Sequence, residues 1–183
     1  MSKNAIRKRI LSRRDALSPA DIAVLSAEVT TRFLASDAFN ATATLALYCA
    51  IRSEVETSEV FAAAIRAGKR VLYPRTVGDT LEFVVVESLE ALVASRYGIY
   101  EPQQGESVPL AEIDLIVLPG VAFDQKGIRL GYGMGCYDRA LAIPVSPTLV
   151  GLAYDFQIVP SLPREEHDIP VHVVVTERKI LSI

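Results

Sequence analysis

Ile113-Asp114-Leu115-Ile116-Val117-Leu118-Pro119-Gly120 is the stretch that decides the fold. A strand with one wet face alternates apolar and polar residues, whereas a strand covered on both faces runs almost wholly apolar. The run from Ile113 to Leu118 is of the second kind, and Pro119-Gly120 closes it with residues that turn the chain. It therefore predicts a central strand of a parallel sheet, with helices on both sides.

Reading outward from it, the chain alternates. Downstream, a glycine-rich turn leads into a helix from Gly135 to Leu141, then strands at Thr148–Ala153 and Val171–Val175. Upstream come strands at Thr44–Ala50, Val71–Tyr73 (ending at Pro74) and Leu81–Val86, and a short helix at Leu89–Ala94. A helix from Thr57 to Ala67 is stopped by Gly68, which supplies the left-handed end that helices favour. Ser18 followed by Pro19 is an N-cap with proline in the first turn, opening a helix through Ile22, Leu25, Val29 and Phe33 to Ala35. Ile6, Ile10 and Leu11 recur at near-helical spacing, so the chain opens on an amphipathic helix with Lys3 and Arg7 on one face. The pattern is an α/β protein with a mainly parallel central sheet, in one domain over 1–183, and such folds bind ligands at the carboxyl ends of their strands.

The composition agrees. Of 183 residues, 50% are apolar and 22% charged, the balance of a soluble globular domain with room for a real core. No apolar run approaches the roughly 18–20 residues that cross a bilayer, and there is no secretory apolar core at the N-terminus. A cytoplasmic monomer without a membrane partner is expected. Cys49 and Cys136 lack zinc-ligand or disulfide spacing. Lys3, Arg7, Lys8, Arg9, Arg13 and Arg14 make a basic arm without an acid. Such an arm could bind nucleic acid, but no second basic patch or interleaved aromatics accompany it, so no nucleic-acid partner is expected.

The segment richest in chemistry is Arg129-Leu130-Gly131-Tyr132-Gly133-Met134-Gly135-Cys136-Tyr137-Asp138-Arg139. Alternating glycines let backbone N–H groups approach an anion closely. Asp138 and Arg139 could add a metal ligand and a cation. The pattern is neither the P-loop nor the dinucleotide fingerprint, and by itself a tight turn between elements would read the same way. His167 and His172 are the only histidines, in different local settings, and suggest no zinc site; no nucleophile elbow marks a Ser/His/Asp triad.

The motif has company. Leu118-Pro119-Gly120-Val121-Ala122-Phe123-Asp124, Gly127, the glycine run, Glu54-Val55-Glu56-Thr57, Tyr73-Pro74-Arg75, Gly98-Ile99-Tyr100-Glu101-Pro102 and His167-Asp168 together resemble the 5-formyltetrahydrofolate cyclo-ligase (5,10-methenyltetrahydrofolate synthetase) family, in its order and approximate spacing over nearly the whole chain. The resemblance implies a three-layer α/β fold (NagB/RpiA/CoA transferase-like). It also implies an ATP- and Mg²⁺-dependent enzyme that closes 5-formyltetrahydrofolate to 5,10-methenyltetrahydrofolate with release of ADP and phosphate. Carried over by position, it gives Lys3, Asn4, Ala5, Ile6 and Arg7, with Arg129, Leu130, Gly131, Tyr132, Gly133, Met134, Gly135, Cys136 and Tyr137, as ATP-binding. For the folate it gives Cys49, Glu54, Arg75, Tyr97 and the loop from Tyr132 to Cys136. Asp138 and Asp168 become metal ligands, and Arg129, Tyr137 and Arg139 catalytic.

The chain departs from the family pattern in places. Met134 stands for a glycine and Cys136 for a tyrosine whose ring would border the folate, a contact worth about 0.5–1.5 kcal/mol beyond its area. His172 replaces a common aspartate, which either supports the metal or merely caps a strand. These changes keep two alternatives open: a paralogue that binds ATP but acts on another substrate, or a non-catalytic nucleotide- or folate-binding regulator.

Overall fold

The structure is a computed structural model and describes residues 1–95, 98–142 and 147–183. Helix α1 (Lys3–Asp15) is capped by the Ser2 hydroxyl, and α2 (Pro19–Leu34) opens on a complete capping box between Ser18 and Asp21. A turn of helix, α3 (Asp37–Asn40), leads to strand β1 (Thr44–Ala46) and helix α4 (Ser58–Arg66), after which Gly68 adopts φ +70°. Strands β2 (Arg70–Val77) and β3 (Thr80–Val85) form a hairpin, followed by the short strands β4 (Leu92–Ala94), β5 (Tyr100–Pro102) and β6 (Ser107–Val108). The chain then runs through β7 (Leu115–Leu118), β8 (Ala122–Asp124), β9 (Arg129–Leu130), α5 (Cys136–Ala140), β10 (Thr148–Leu152), β11 (Ile158–Val159), β12 (Val173–Val175) and β13 (Ile180–Ser182).

Eight strands form the main sheet in the order β13-β12-β10-β7-β1-β2-β3-β6. The five from β12 to β2 are parallel, with antiparallel strands at both margins. Strand β7 lies between β1 and β10, and all four of its residues have no exposed surface. Leu115 and Val117 point into one core with Val29, Phe33, Val60 and Phe61 of α2 and α4; Ile116 and Leu118 point into the other, with Phe123 and Leu141. Each fully buried aliphatic side chain contributes about 1.5–3 kcal/mol, so both layers are held through this strand. The second layer is built from α5 and a three-stranded sheet, β11-β8-β9. Helix α1 seats Ile6 and Ile10 on that small sheet, against Val121, Ile128 and Leu130.

The elements differ from expectation in three informative places. β2 continues through Pro74 instead of ending there, because β1 pairs only with Arg70–Leu72. Leu72 offers its carbonyl to Leu47 on that edge, so Pro74, two residues on, turns its hydrogen-free nitrogen toward an edge with no ladder left to break. The segment Leu89–Ala94, expected as a helix, is a single 3₁₀ turn followed by β4, which pairs with β5. The strand expected over Thr44–Ala50 is regular only to Ala46, which frees Tyr48 and Cys49 to line the site below. Among the described residues no helix is long and apolar enough to cross a membrane.

Candidate active site

A cleft of about 970 Å³ opens at the carboxyl ends of β1, β2 and β7, where a parallel sheet is expected to place ligands. The run Arg129 to Arg139 forms one wall and Lys3, Asn4 and Arg7 of α1 another; Cys49 and Glu54 lie on the sheet side, with Asp168 at the rim. Residues from both ends of the sequence thus meet at one place.

The glycine run turns because its glycines can. Gly133 sits at φ +105° and Gly135 at φ +67°, in the region that L side chains rarely adopt. A side chain at Gly135 would also stand 2.9 Å from the Arg139 guanidinium. Helix α1 is clamped to the loop by Arg7, whose Nε donates to the Gly131 carbonyl at 2.9 Å and whose Nη1 donates to Asn4 Oδ1 at 2.5 Å. Lys3 donates to Asp168 Oδ2 at 2.8 Å and lies 3.4 Å from Glu165 Oε2. Burial alone would lower the Lys3 pKa, but the bonds and charges of Asp168 and Glu165 outweigh it and raise it. Burial pushes the Asp168 carboxyl up, and Lys3 with the Glu165 N–H more than reverses this.

The carboxylates expected to hold metal converge. Asp138 Oδ1 accepts from Arg129 Nη2 at 3.0 Å and from the backbone N–H of Ile169 at 3.2 Å, the residue after Asp168. Asp168, Glu165 and His167 place ligand atoms within 4.8 Å of one another. Oxygen donors of this kind suit a hard divalent cation such as Mg²⁺, which takes one or two protein carboxylates. The Lys3 ammonium on Asp168 already marks the spot as one that calls for positive charge.

Glu54 is carried on the turn Ile51–Glu54, which Arg52 closes at φ +54°. Its side chain is 4% exposed; Oε2 accepts from the Ile51 N–H at 3.0 Å, while Oε1 is buried with no hydrogen-bond partner among the described residues. Burial raises its pKa, opposed by the Ile51 bond and by Arg14. The Cys49 thiol is pushed up to about 12 by burial and by the charges of Glu101 and Glu56, so it stays a protonated, unreactive wall. Burial likewise raises the phenol of Tyr137, whose ring lies 5.6 Å from the Arg129 guanidinium carbon.

Some expected residues are elsewhere. Ala5 is exposed on α1 and Ile6 is in the core. Arg75 does not line the cleft: Nε and Nη2 both bind Glu82 Oε1, at 3.0 and 2.9 Å, its cross-strand partner on β3. Tyr97 lies outside the described residues. Arg129 and Arg139 reach the cleft but direct donors into the protein, Arg129 to Asp138 and Arg139 to the carbonyls of Asp79 and Met134. His172 does not line the cleft; its Nδ1 accepts from the Leu149 N–H at 2.9 Å, so it caps the start of the β10–β12 pairing. Residues that the sequence reading did not assign also line the cleft, among them Tyr48, Thr76, Glu101 and Glu165. Glu101 was visible only as part of a motif; here it accepts from the Thr76 N–H that β1 leaves unpaired.

Fold and cleft define an α/β protein with a glycine loop on one wall of the cleft, cations from its first helix and a pair of carboxylates beside it. The chain belongs to the 5-formyltetrahydrofolate cyclo-ligase family, whose model matches residues 1–177. It is 36% identical over 181 residues to the 5-formyltetrahydrofolate cyclo-ligase of Escherichia coli, covering 93% of this chain and 98% of that protein. The mouse 5-formyltetrahydrofolate cyclo-ligase is 29% identical, over 96% and 94% of the two chains. Among solved structures, the 5,10-methenyltetrahydrofolate synthetase of Aquifex aeolicus superposes with a TM-score of 0.89 at 38% identity, covering 100% of this chain and 93% of that one. The Mycoplasma pneumoniae synthetase gives 0.77 at 27% identity, over 97% and 99%.

Proposed function

We propose that the cleft converts 5-formyltetrahydrofolate and ATP to 5,10-methenyltetrahydrofolate, ADP and phosphate. The observation that carries this reading is the meeting, in one cleft, of the glycine loop with its α1 cations and the buried acceptor Glu54. The formyl oxygen attacks the γ-phosphorus and ADP leaves. Nitrogen 10 of the folate then attacks the formyl carbon and loses its proton; the carbon–oxygen bond breaks and phosphate departs as the ring closes. Phosphorylation turns a poor leaving group into a good one, so the protein need only position the reactants and neutralise charge.

Each group has a matching role. The loop from Gly131 to Gly135 presents backbone N–H groups to the triphosphate, with Arg7 above it. Lys3 neutralises Asp168, and from the same helix face as Arg7 it is placed to meet phosphate oxygens. Asp138 and Asp168 would hold Mg²⁺, which supplies charge neutralisation at the phosphate oxygens. Glu54 accepts from the amino and ring N–H groups of the pterin, as a carboxylate takes two parallel bonds. Arg139 bridges the β2–β3 turn to the loop and keeps the cleft shaped; Arg129 holds Asp138.

The test is spectroscopic. With Mg²⁺, ATP and 5-formyltetrahydrofolate the protein should generate the near-ultraviolet absorbance of the methenyl product, and no turnover at high folate would overturn the assignment. Cys136 lines the cleft at the start of α5. Cys136→Tyr should lower the KM for folate by up to about tenfold, the equivalent of one aromatic contact. An unchanged KM would show that the ring meets no substrate.

A further inference from the structure

The most unusual group near the cleft is Arg14, at the carboxyl end of α1. Its side chain has no exposed surface, although arginines are almost never fully buried unless paired. Nε donates to Ser53 Oγ at 3.3 Å, Nη2 donates to the Tyr132 hydroxyl, and the guanidinium lies over the Tyr132 ring with its carbon 5.8 Å from the centroid. Ser53 is held in turn by Asp15 at 3.1 Å. The third arm is different. Nη1 lies 3.9 Å from Glu54 Oε1, too far for a hydrogen bond, and both atoms are buried without a partner among the described residues. An ion pair that leaves a donor and an acceptor unmet costs free energy, and such a pair persists where something else completes it.

We propose that Arg14 is a positioning residue for the folate: it keeps Glu54 an ionised acceptor aimed into the cleft and ties it, through Tyr132, to the glycine loop. The inference rests on Glu54 receiving the pterin, as proposed above. The geometry suits the task, because the fork spans Ser53 beside Glu54 and Tyr132 in the loop, and its planar donors fix an orientation that a point charge would not.

Electrostatics supports the same role. Glu54 is faced by Arg14 from α1, Tyr132 and Tyr137 from the loop and α5, Tyr48 after β1, Tyr154 after β10, and Glu56 on its own segment. Arg14 is the one cation in this set. Burial and, less, Glu56 push the Glu54 carboxyl up; the Ile51 N–H, then Arg14, then the Tyr132 hydroxyl pull it back. Without Arg14 the carboxyl would protonate at higher pH and cease to accept from the pterin.

The experiment is folate affinity against pH, by calorimetry on the full chain, for wild type, Arg14→Met and Arg14→Lys, with circular dichroism to check folding. Arg14→Met should weaken folate binding about tenfold at neutral pH, the loss of one charge-assisted anchor. The pH below which folate binding fails should move upward, and affinity for a non-hydrolysable ATP analogue should fall less than folate affinity does and show no such pH shift. Arg14→Lys keeps the charge without the fork, and should restore the wild-type pH limit but not the full affinity. Folded Arg14→Met with wild-type affinity and an unmoved limit would overturn the inference. If Arg14→Met does not fold, Arg14→Lys decides: wild-type folate affinity in that variant overturns it, and reduced affinity with an unmoved limit supports it. Failure of the wild type to bind folate at all would instead remove the functional reading on which this one stands.

Discussion

Asp138→Asn is expected to lower kcat about a hundredfold or more, with a loss of Mg²⁺-dependent ATP binding that calorimetry would register independently of turnover. A metal at a transferring phosphoryl group supplies several kcal/mol of charge stabilisation, and removing about 3 kcal/mol of that costs about two decades of rate. The substitution also strands a cation. Arg129 is 6% exposed, its Nε has no hydrogen-bond partner among the described residues, and Asp138 is the carboxylate its Nη2 meets at 3.0 Å. Breaking a fully buried ion pair costs ~3–5 kcal/mol. Asp138 is 19% exposed and asparagine keeps an acceptor oxygen, so a loss of about 2 kcal/mol is expected, visible in the urea midpoint. Asp168→Asn separates the two effects, since its cation Lys3 is 23% exposed and can turn to water: Mg²⁺ dependence should suffer with little loss of stability. Full activity in Asp138→Asn would exclude that carboxylate from the metal site.

How far the sequence carried the fold follows from how local each signal is. β7 was legible because burial on both faces writes itself into four consecutive apolar residues, Leu115 to Leu118, and α2 because its cap, proline and apolar stripe agree. The end of β2 was not legible, since proline stops a strand only where a neighbour needs its N–H, and whether one does depends on where β1 ends. The same holds for Leu89–Ala94, which becomes a strand because Tyr100–Pro102 lies beside it. The small sheet β11-β8-β9, with strands of two or three residues, has no period long enough to read, yet it is what seats α1 over the cleft.

The site divides in the same way. The glycine loop was legible because positive φ demands glycine at Gly133 and Gly135. The pairing of Lys3 with Asp168 spans 165 residues and was reachable only through the family pattern. Arg75, which that pattern gave to the folate, does not line the cleft, and its register opposite Glu82 explains its charge. Arg13 and Arg14 look alike in the sequence, but Arg13 lies over the Phe156 ring at 4.4 Å while Arg14 is sealed beneath Glu54. One residue of phase along a helix separates a surface cation from a buried one, and the six basic residues of the arm give no hint of it.

The largest loss of stability is expected not in the cleft but behind it, at Asp124. This carboxylate is 1% exposed at the end of β8. Oδ1 accepts from the backbone N–H groups of Lys126 at 2.9 Å and Ile128 at 3.0 Å, and Oδ2 accepts from that of Leu162 at 2.9 Å. It therefore fastens the turn before β9 to the segment that leads through Pro163 and Glu165 to Asp168. Asp124→Ala orphans three donors, two of them in buried bonds. At ~1–3 kcal/mol for each unmet group, a loss of about 4 kcal/mol is expected, against the ~5–15 kcal/mol that holds an ordinary domain folded. In a chain of this size that lowers Tm by about 10 °C. Asp124→Asn keeps one acceptor oxygen and turns an N–H₂ toward a backbone donor, so it should fall between wild type and alanine. Because Leu162 precedes the Asp168 segment, Mg²⁺-dependent nucleotide affinity should weaken in Asp124→Ala even at temperatures where the protein is folded, while folate affinity, set from Glu54 on the far side of the cleft, should change less. Calorimetric scans with binding titrations on the same variants check both parts; a Tm within about 2 °C of wild type would show that Asp124 does not fasten these segments.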